Sequence, residues 1–128
     1  MKKLLFLFTI LLITACQESL EQRAQRTLKE FSERNCPMPL SDAIMMDSCA
    51  FETDTHTLHY YYTFMGAMDN DSTLNTAGMR ELLSSSLKNE TSVRIFKEAG
   101  YSFKYTYFSQ SNPGKLLFET TFTKDDYQ

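Results

Sequence analysis

The 128-residue sequence has no tryptophan, four glycines, three prolines and fewer cations than anions, 13 Lys and Arg against 16 Asp and Glu. The shortage of cations excludes broad nucleic-acid binding, which needs clustered positive charge to neutralise phosphates. The glycines stand singly, so there is no Gly-rich phosphate loop and no nucleotide fingerprint. No apolar run reaches the roughly 20 residues that a membrane-spanning helix requires. The longest, Leu4 to Ile13, has the length of a leader's apolar segment. Three cysteines, Cys16, Cys36 and Cys49, form no Cys-x-x-Cys pair, so the spacing that activates a redox thiol is missing.

Aromatic rings are plentiful instead. Of the 17 Phe and Tyr, only Phe6 and Phe8 lie in the first 15 residues. The 15 that follow are enough to build one core without tryptophan. From Cys16 onward, 11 basic side chains face 16 acidic ones, a formal net charge of −5.

Lys2 and Lys3, the Leu4 to Ile13 run and then Ile13-Thr14-Ala15-Cys16 arrive in the order of a lipoprotein leader. The last four residues resemble the lipobox of bacterial lipoproteins. That resemblance implies a signal peptide over 1–15, lipid on Cys16, a short tether over 16–19 and a single domain within 16–128. Two or more acyl chains hold a protein stably at a bilayer. Gln17, where an aspartate would stand in lipoproteins kept at the inner membrane, implies the outer membrane with the domain facing the periplasm. As a whole the chain is similar to the small α+β lipoproteins common in bacterial envelopes.

Leu20, Ala24, Leu28 and Phe31 recur at helical spacing among polar residues, and Asn35-Cys36-Pro37 ends that helix. Residues 43–64 read as a β-hairpin, with Leu58, Tyr60, Tyr62 and Phe64 alternating with Thr57, His59, Tyr61 and Thr63. Ser72 to Ala99 is helical in composition, interrupted near Asn89 to Thr91, with Gly100 as its stop and Asp71 or Ser72 as its N-cap. Tyr101, Phe103, Tyr105 and Tyr107 then alternate with Ser102, Lys104 and Thr106. Asn112-Pro113-Gly114 turns the chain into a last strand that carries Leu116, Phe118, Thr120 and Phe122 on one face. The order predicts an α+β two-layer sandwich: a four-stranded antiparallel sheet with helices on one face, arranged as a helix-hairpin unit used twice.

Cys36 and Cys49 remain once Cys16 is lipidated, an even pair in an exported chain. A disulfide between them would stabilise the fold by about 3 kcal/mol. Otherwise Cys49 is a small buried apolar residue and Cys36 a thiol at a helix end. His56 and His59 sit at an odd separation that sends strand side chains to opposite faces, so they do not make a metal pair. Asp69 and Asp71 begin a calcium-loop pattern that lacks its glycine and glutamate, where Leu74 and Arg80 stand. Ser84 to Ser86 have neither a nucleophile elbow nor a base. Neither a metal nor a cofactor is implied.

The sheet face left open by the helices would present His59, Tyr61, Lys104, Phe108 and Leu117. It is either a hydrated surface held by cross-strand pairs or a patch for a partner or a second copy of the chain. The functional expectation is a lipid-anchored, non-catalytic module that binds a protein or peptide at the envelope, with a homodimer through the sheet as one form. The alternatives are an inhibitor or immunity-type protein of an envelope enzyme, and a small hydrolase or ligand carrier. A concave pocket with convergent polar groups would favour the last of these.

Overall fold

The structure, a computed structural model, describes residues 18–128. The leader, the lipobox and Cys16 lie outside the described residues. Helix α1 (Leu20–Asn35) begins at a capping box: Ser19 Oγ accepts from Gln22 N at 3.2 Å, and Gln22 Oε1 accepts from Ser19 N at 2.9 Å. Its stripe buries Ala24 and Leu28 against the sheet. It ends at Cys36, whose N–H reaches Ser32 O at 3.1 Å, before Pro37, which has no N–H to continue it.

Four strands were expected and five are present, in the order β1 (Met38–Pro39), β2 (Ile44–Glu52), β3 (Thr57–Phe64), β4 (Ser102–Ser109), β5 (Leu116–Phe122). The added strand is a two-residue edge on β2. A larger correction concerns direction. β3 and β4 pair in parallel, Tyr60 beside Tyr105 and Tyr62 beside Tyr107, so the sheet is mixed. Residues 65–101 hold a single 3-10 turn (Gly66–Met68) and two α-helices, α2 (Thr76–Asn89) and α3 (Arg94–Glu98), and are long enough for a crossover. They return the chain to the end where β3 began, with Ser102 N donating to His56 O at 3.0 Å. The helix-hairpin repeat therefore fails as a repeat of the fold, because the two aromatic strands are direct neighbours in one orientation instead of equivalent positions in two copies.

The helices sit on one face, as the alternation implies. Leu58, Phe64 and Phe122 are sealed beneath them. Along the middle of that face the rings stack in a ladder: Tyr60 on Tyr105 at 5.3 Å, Tyr62 on Tyr107 at 4.6 Å, Phe64 on Tyr107 at 4.6 Å. β5 departs from the expected alternation. A register shift opposite Tyr107 and Phe108 sets Leu116 across from Phe108, so Leu116 turns to the open face and Leu117 packs toward the core.

Helix α2 is capped by Asn75, whose Oδ1 accepts from Gly78 N at 3.0 Å, and not by Asp71 or Ser72. Asp69 instead accepts from Ser109 Oγ at 2.5 Å and Ser111 N at 2.9 Å, while Asp71 pairs with Lys115 Nζ at 2.7 Å. Both carboxylates thus fasten the loop before α2 to the β4–β5 turn. Gly100, at φ +80°, ends α3 in the left-handed conformation that lets Tyr101 N reach Phe96 O at 3.0 Å. A four-residue helix, α4 (Lys124–Tyr127), closes the chain.

Candidate functional site

On the open face the five residues singled out from sequence do not form an exposed patch. His59 is 5% exposed. Its Nδ1 lies 2.9 Å from Glu52 Oε1 on β2, and its Nε2 lies 2.7 Å from Thr106 Oγ1 on β4. Thr106 Oγ1 in turn donates to Glu119 Oε2 on β5 at 2.8 Å, and Lys104 Nζ stands 3.7 Å from Glu119 Oε1. Tyr61 covers the imidazole with ring centroids 4.0 Å apart. Burial is the largest influence on His59 and depresses its pKa, against the raising effect of Glu52.

A carboxylate, an imidazole and a hydroxyl in hydrogen-bond sequence have the connectivity of a nucleophile with its base and orienting acid. Here the hydroxyl belongs to Thr106, 2% exposed in the middle of β4 between two paired strands. Its backbone is committed to the sheet ladder, and Tyr61 lies over the base. A substrate carbonyl has no approach, and the network holds four strands together instead. Phe108 and Lys104 are half-buried on the same face, and Leu117 has turned inward.

Cys36 and Cys49 are both free thiols, so the expected bridge is not formed. Cys49 Sγ donates to Leu28 O at 3.4 Å, and the Cys36 thiol is held by Ser32. Each finds its hydrogen-bond partner on helix α1. Burial pushes the Cys49 thiol up to about 11, and the nearby Cys36 adds to the rise.

The concave feature lies on the opposite face, among the helices. Helix α1 lies over β2, whereas α2 leans on β5 and α4. Between them a cavity of about 480 Å³ opens above β3 and β4. Its floor is Tyr60, Tyr62, Phe103 and Tyr105; Leu28 and Phe31 form one wall, and Leu83, Leu87, Val93 and Phe96 the other. Phe31 remains 39% exposed at the rim. Polar lining is sparse: Thr27, Ser86, Ser92 and Glu90, the last being its one charged residue.

The phenol hydroxyls of Tyr60, Tyr62 and Tyr105 have no hydrogen-bond partner among the described residues. Every buried polar side-chain atom that is fully sealed does have one, so these three hydroxyls open onto the groove. The floor is the face of a paired sheet and the walls are mostly helix, with residues 90–93 the one loop segment at the rim. A guest therefore finds mainly apolar surface, phenol tips and one carboxylate, and free main chain only at the 90–93 loop.

From sequence the tyrosine ladder is expected inside a sealed core, whereas in the structure it floors an open groove. A signal was available. A sealed sheet face favours Phe over Tyr, because each buried hydroxyl needs a partner. Neither predicted helix was wide enough in apolar residues to cover three aromatic stripes.

Residues 19–118 match the family model described as the domain of unknown function DUF8479. The chain belongs to that family. No curated protein matches the sequence of this DUF8479 chain. Its fold is shared by a Pseudomonas aeruginosa protein taken to be secreted, with a TM-score of 0.68 and 14% identity over 88% of this chain and 100% of that one. It is shared too by EpsS, the pilotin of the Vibrio vulnificus type 2 secretion system, with a TM-score of 0.68 and 14% identity over 85% and 92% of the two chains. The type II secretion pilotin AspS of Vibrio cholerae follows, with a TM-score of 0.62 and 16% identity over 84% and 91%.

Proposed function

We propose that this DUF8479 protein is a lipid-anchored, non-catalytic envelope protein that receives an amphipathic helix of a secretion-apparatus component in the groove between α1 and α2. The observation that carries the reading is the groove itself, an apolar trough of about 480 Å³ whose sheet floor and helical walls offer few main-chain partners. An extended peptide laid there would leave its own N–H and C=O groups unpaired. A helix brings them already paired and buries its apolar stripe. The kinship of fold with two type II secretion pilotins supports a partner of that class.

Lipid on Cys16 would place the anchor four residues before Leu20, a reach of about 14 Å at most. The start of α1 and the β2–β3 turn, which are tied by Glu21 and His56 at 2.6 Å, would then stand nearest the bilayer of the outer membrane. Two-dimensional confinement raises the effective concentration of a partner in the same membrane.

The test uses a photo-crosslinking residue at Phe31, on the groove rim, and another at Leu116, on the open face. Support consists of a crosslink at Phe31 that maps to an amphipathic segment of one partner, together with binding of a synthetic copy of that segment and its loss in Leu83→Glu. Crosslinking through Leu116 with none through Phe31 would overturn the assignment of the site. Cys16→Ala should release the protein from membranes without altering its circular dichroism; continued membrane association would refute the anchor.

A further inference from the structure

If the groove receives a helix, as proposed above, its lining also selects the chemistry of that guest. We propose that the docked helix sets a lysine or arginine against Glu90 and the phenol oxygens of Tyr60 and Tyr105. Glu90 is the one charged residue that lines the groove. It follows α2 as the C-cap, exposed at the rim of the groove, where its Oε1 accepts from Ser92 N at 3.1 Å, and it has no salt-bridge partner among the described residues. Lys97 stands close enough for its charge to act on Glu90, but it makes no ion pair with it: its Nζ donates to Leu87 O at 2.7 Å and Lys88 O at 3.2 Å, closing the end of α2.

The phenols add to this end of the groove. Tyr62 is 8% exposed and yet its hydroxyl opens into the cavity, beside those of Tyr60 and Tyr105. Burial, and the field of the Glu90 carboxylate, hold Tyr60 and Tyr105 in the neutral form. They are therefore uncharged oxygens with lone pairs, grouped near an anion. An anionic guest would be repelled by Glu90. An apolar guest would cover three hydroxyls without replacing their water, at a cost in affinity. A cationic side chain satisfies both, because an ammonium or guanidinium has donors only, which can be shared between the carboxylate and the phenol oxygens.

The experiment uses the full chain in zwitterionic nanodiscs, which remove attraction of a cationic peptide to lipid. The probes are three dansyl-labelled 14-residue amphipathic helices that differ at one position of the leucine face: lysine, norleucine or glutamate. Fluorescence anisotropy should show the lysine helix binding up to about fivefold more tightly than the norleucine helix, with the glutamate helix weakest. Glu90→Gln keeps an acceptor for Ser92 N, so the turn is retained, and it should bring the lysine helix to the affinity of the norleucine helix on the same variant. Glu90→Lys should turn the preference toward glutamate. Equal binding of all three helices to the unaltered protein overturns the cation assignment and leaves the groove reading standing. Binding of none overturns both.

Discussion

Glu119→Gln gives the most informative perturbation of the open face, because the number of protons there decides its sign. Thr106 has one hydroxyl proton and two acceptors in reach, His59 Nε2 at 2.7 Å and Glu119 Oε2 at 2.8 Å. If His59 is neutral, its Nδ1–H donates to Glu52 and Nε2 competes with Glu119 for that proton. If it is cationic, both ring nitrogens donate and every link is filled. Burial depresses the pKa of His59, which selects the neutral form at pH 7 to 8 and leaves one link short of a proton. A glutamine at position 119 supplies it, donating its amide N–H to Thr106 Oγ1 and freeing the hydroxyl for His59. A filled hydrogen bond contributes about 1 kcal/mol net. Against it stands the loss of the long Lys104–Glu119 pair, itself worth only about 0–1 kcal/mol. Glu119→Gln should therefore be neutral to stabilising by about 1 kcal/mol at pH 8, a rise in Tm of up to about 6 °C. Urea unfolding at pH 8 measures it, and imidazole ¹⁵N shifts report the protonation of His59 directly. A loss above about 1 kcal/mol, with imidazolium shifts at pH 7, would refute the reasoning and show a cation under Tyr61.

Other outcomes follow from the same structure. Because the folded pKa of His59 is lowered, its contribution to stability is fully present above the unfolded value of about 6.5 and is lost as pH falls through the folded value. Glu119→Gln removes a charge that raises that pKa, so the acid-side loss should extend to lower pH in a urea series. Leu28→Ala, at a position 4% exposed between α1 and β2, should cost about 2–5 kcal/mol in chemical unfolding. Gly100→Ala places a side chain at φ +80° and brings its Cβ to 3.3 Å from Lys124 Cδ, so it should cost about 1–2 kcal/mol. Cys49, raised to about 11 and buried, should resist alkylation in the native protein at pH 8 and react at once on unfolding; rapid native labelling would contradict its placement.

What could be read from sequence, and what could not, divides along the range of the interactions involved. Leu58, Tyr60, Tyr62 and Phe64 alternate in a period that only a strand satisfies, and the same holds for Phe103, Tyr105 and Tyr107, so both strands and their buried faces were legible. The Gly100 stop and the break before Arg94 are likewise local. The direction of β4 is not. Alternation is the same forwards and backwards, and whether β4 runs with or against β3 depends on where residues 65–101 deliver the chain. A one-residue bulge is similarly invisible, since Leu116 and Leu117 are the same residue type, and only the pairing with Phe108 shows which one turns outward.

His59 makes the same point more sharply. In sequence it is an exposed polar residue on a strand; in the fold Glu52, Thr106 and Glu119 arrive from three other strands and bury it. The groove is the longest-range feature of all, because it is the space that two helices leave uncovered. Its chemical trace in the sequence is the use of Tyr at 60, 62 and 105, where a closed core would be expected to use Phe. Substitution therefore separates the two roles of these rings. Tyr62→Phe keeps the stacked ladder and removes a hydroxyl that bonds to no described residue, so the fold should change in stability by less than about 0.5 kcal/mol. If the groove is a working site, binding of the lysine helix should weaken in the same variant. A Tyr62→Phe protein destabilised by more than about 1 kcal/mol would mean that its hydroxyl serves the core, and the open-groove reading of the ladder would be lost.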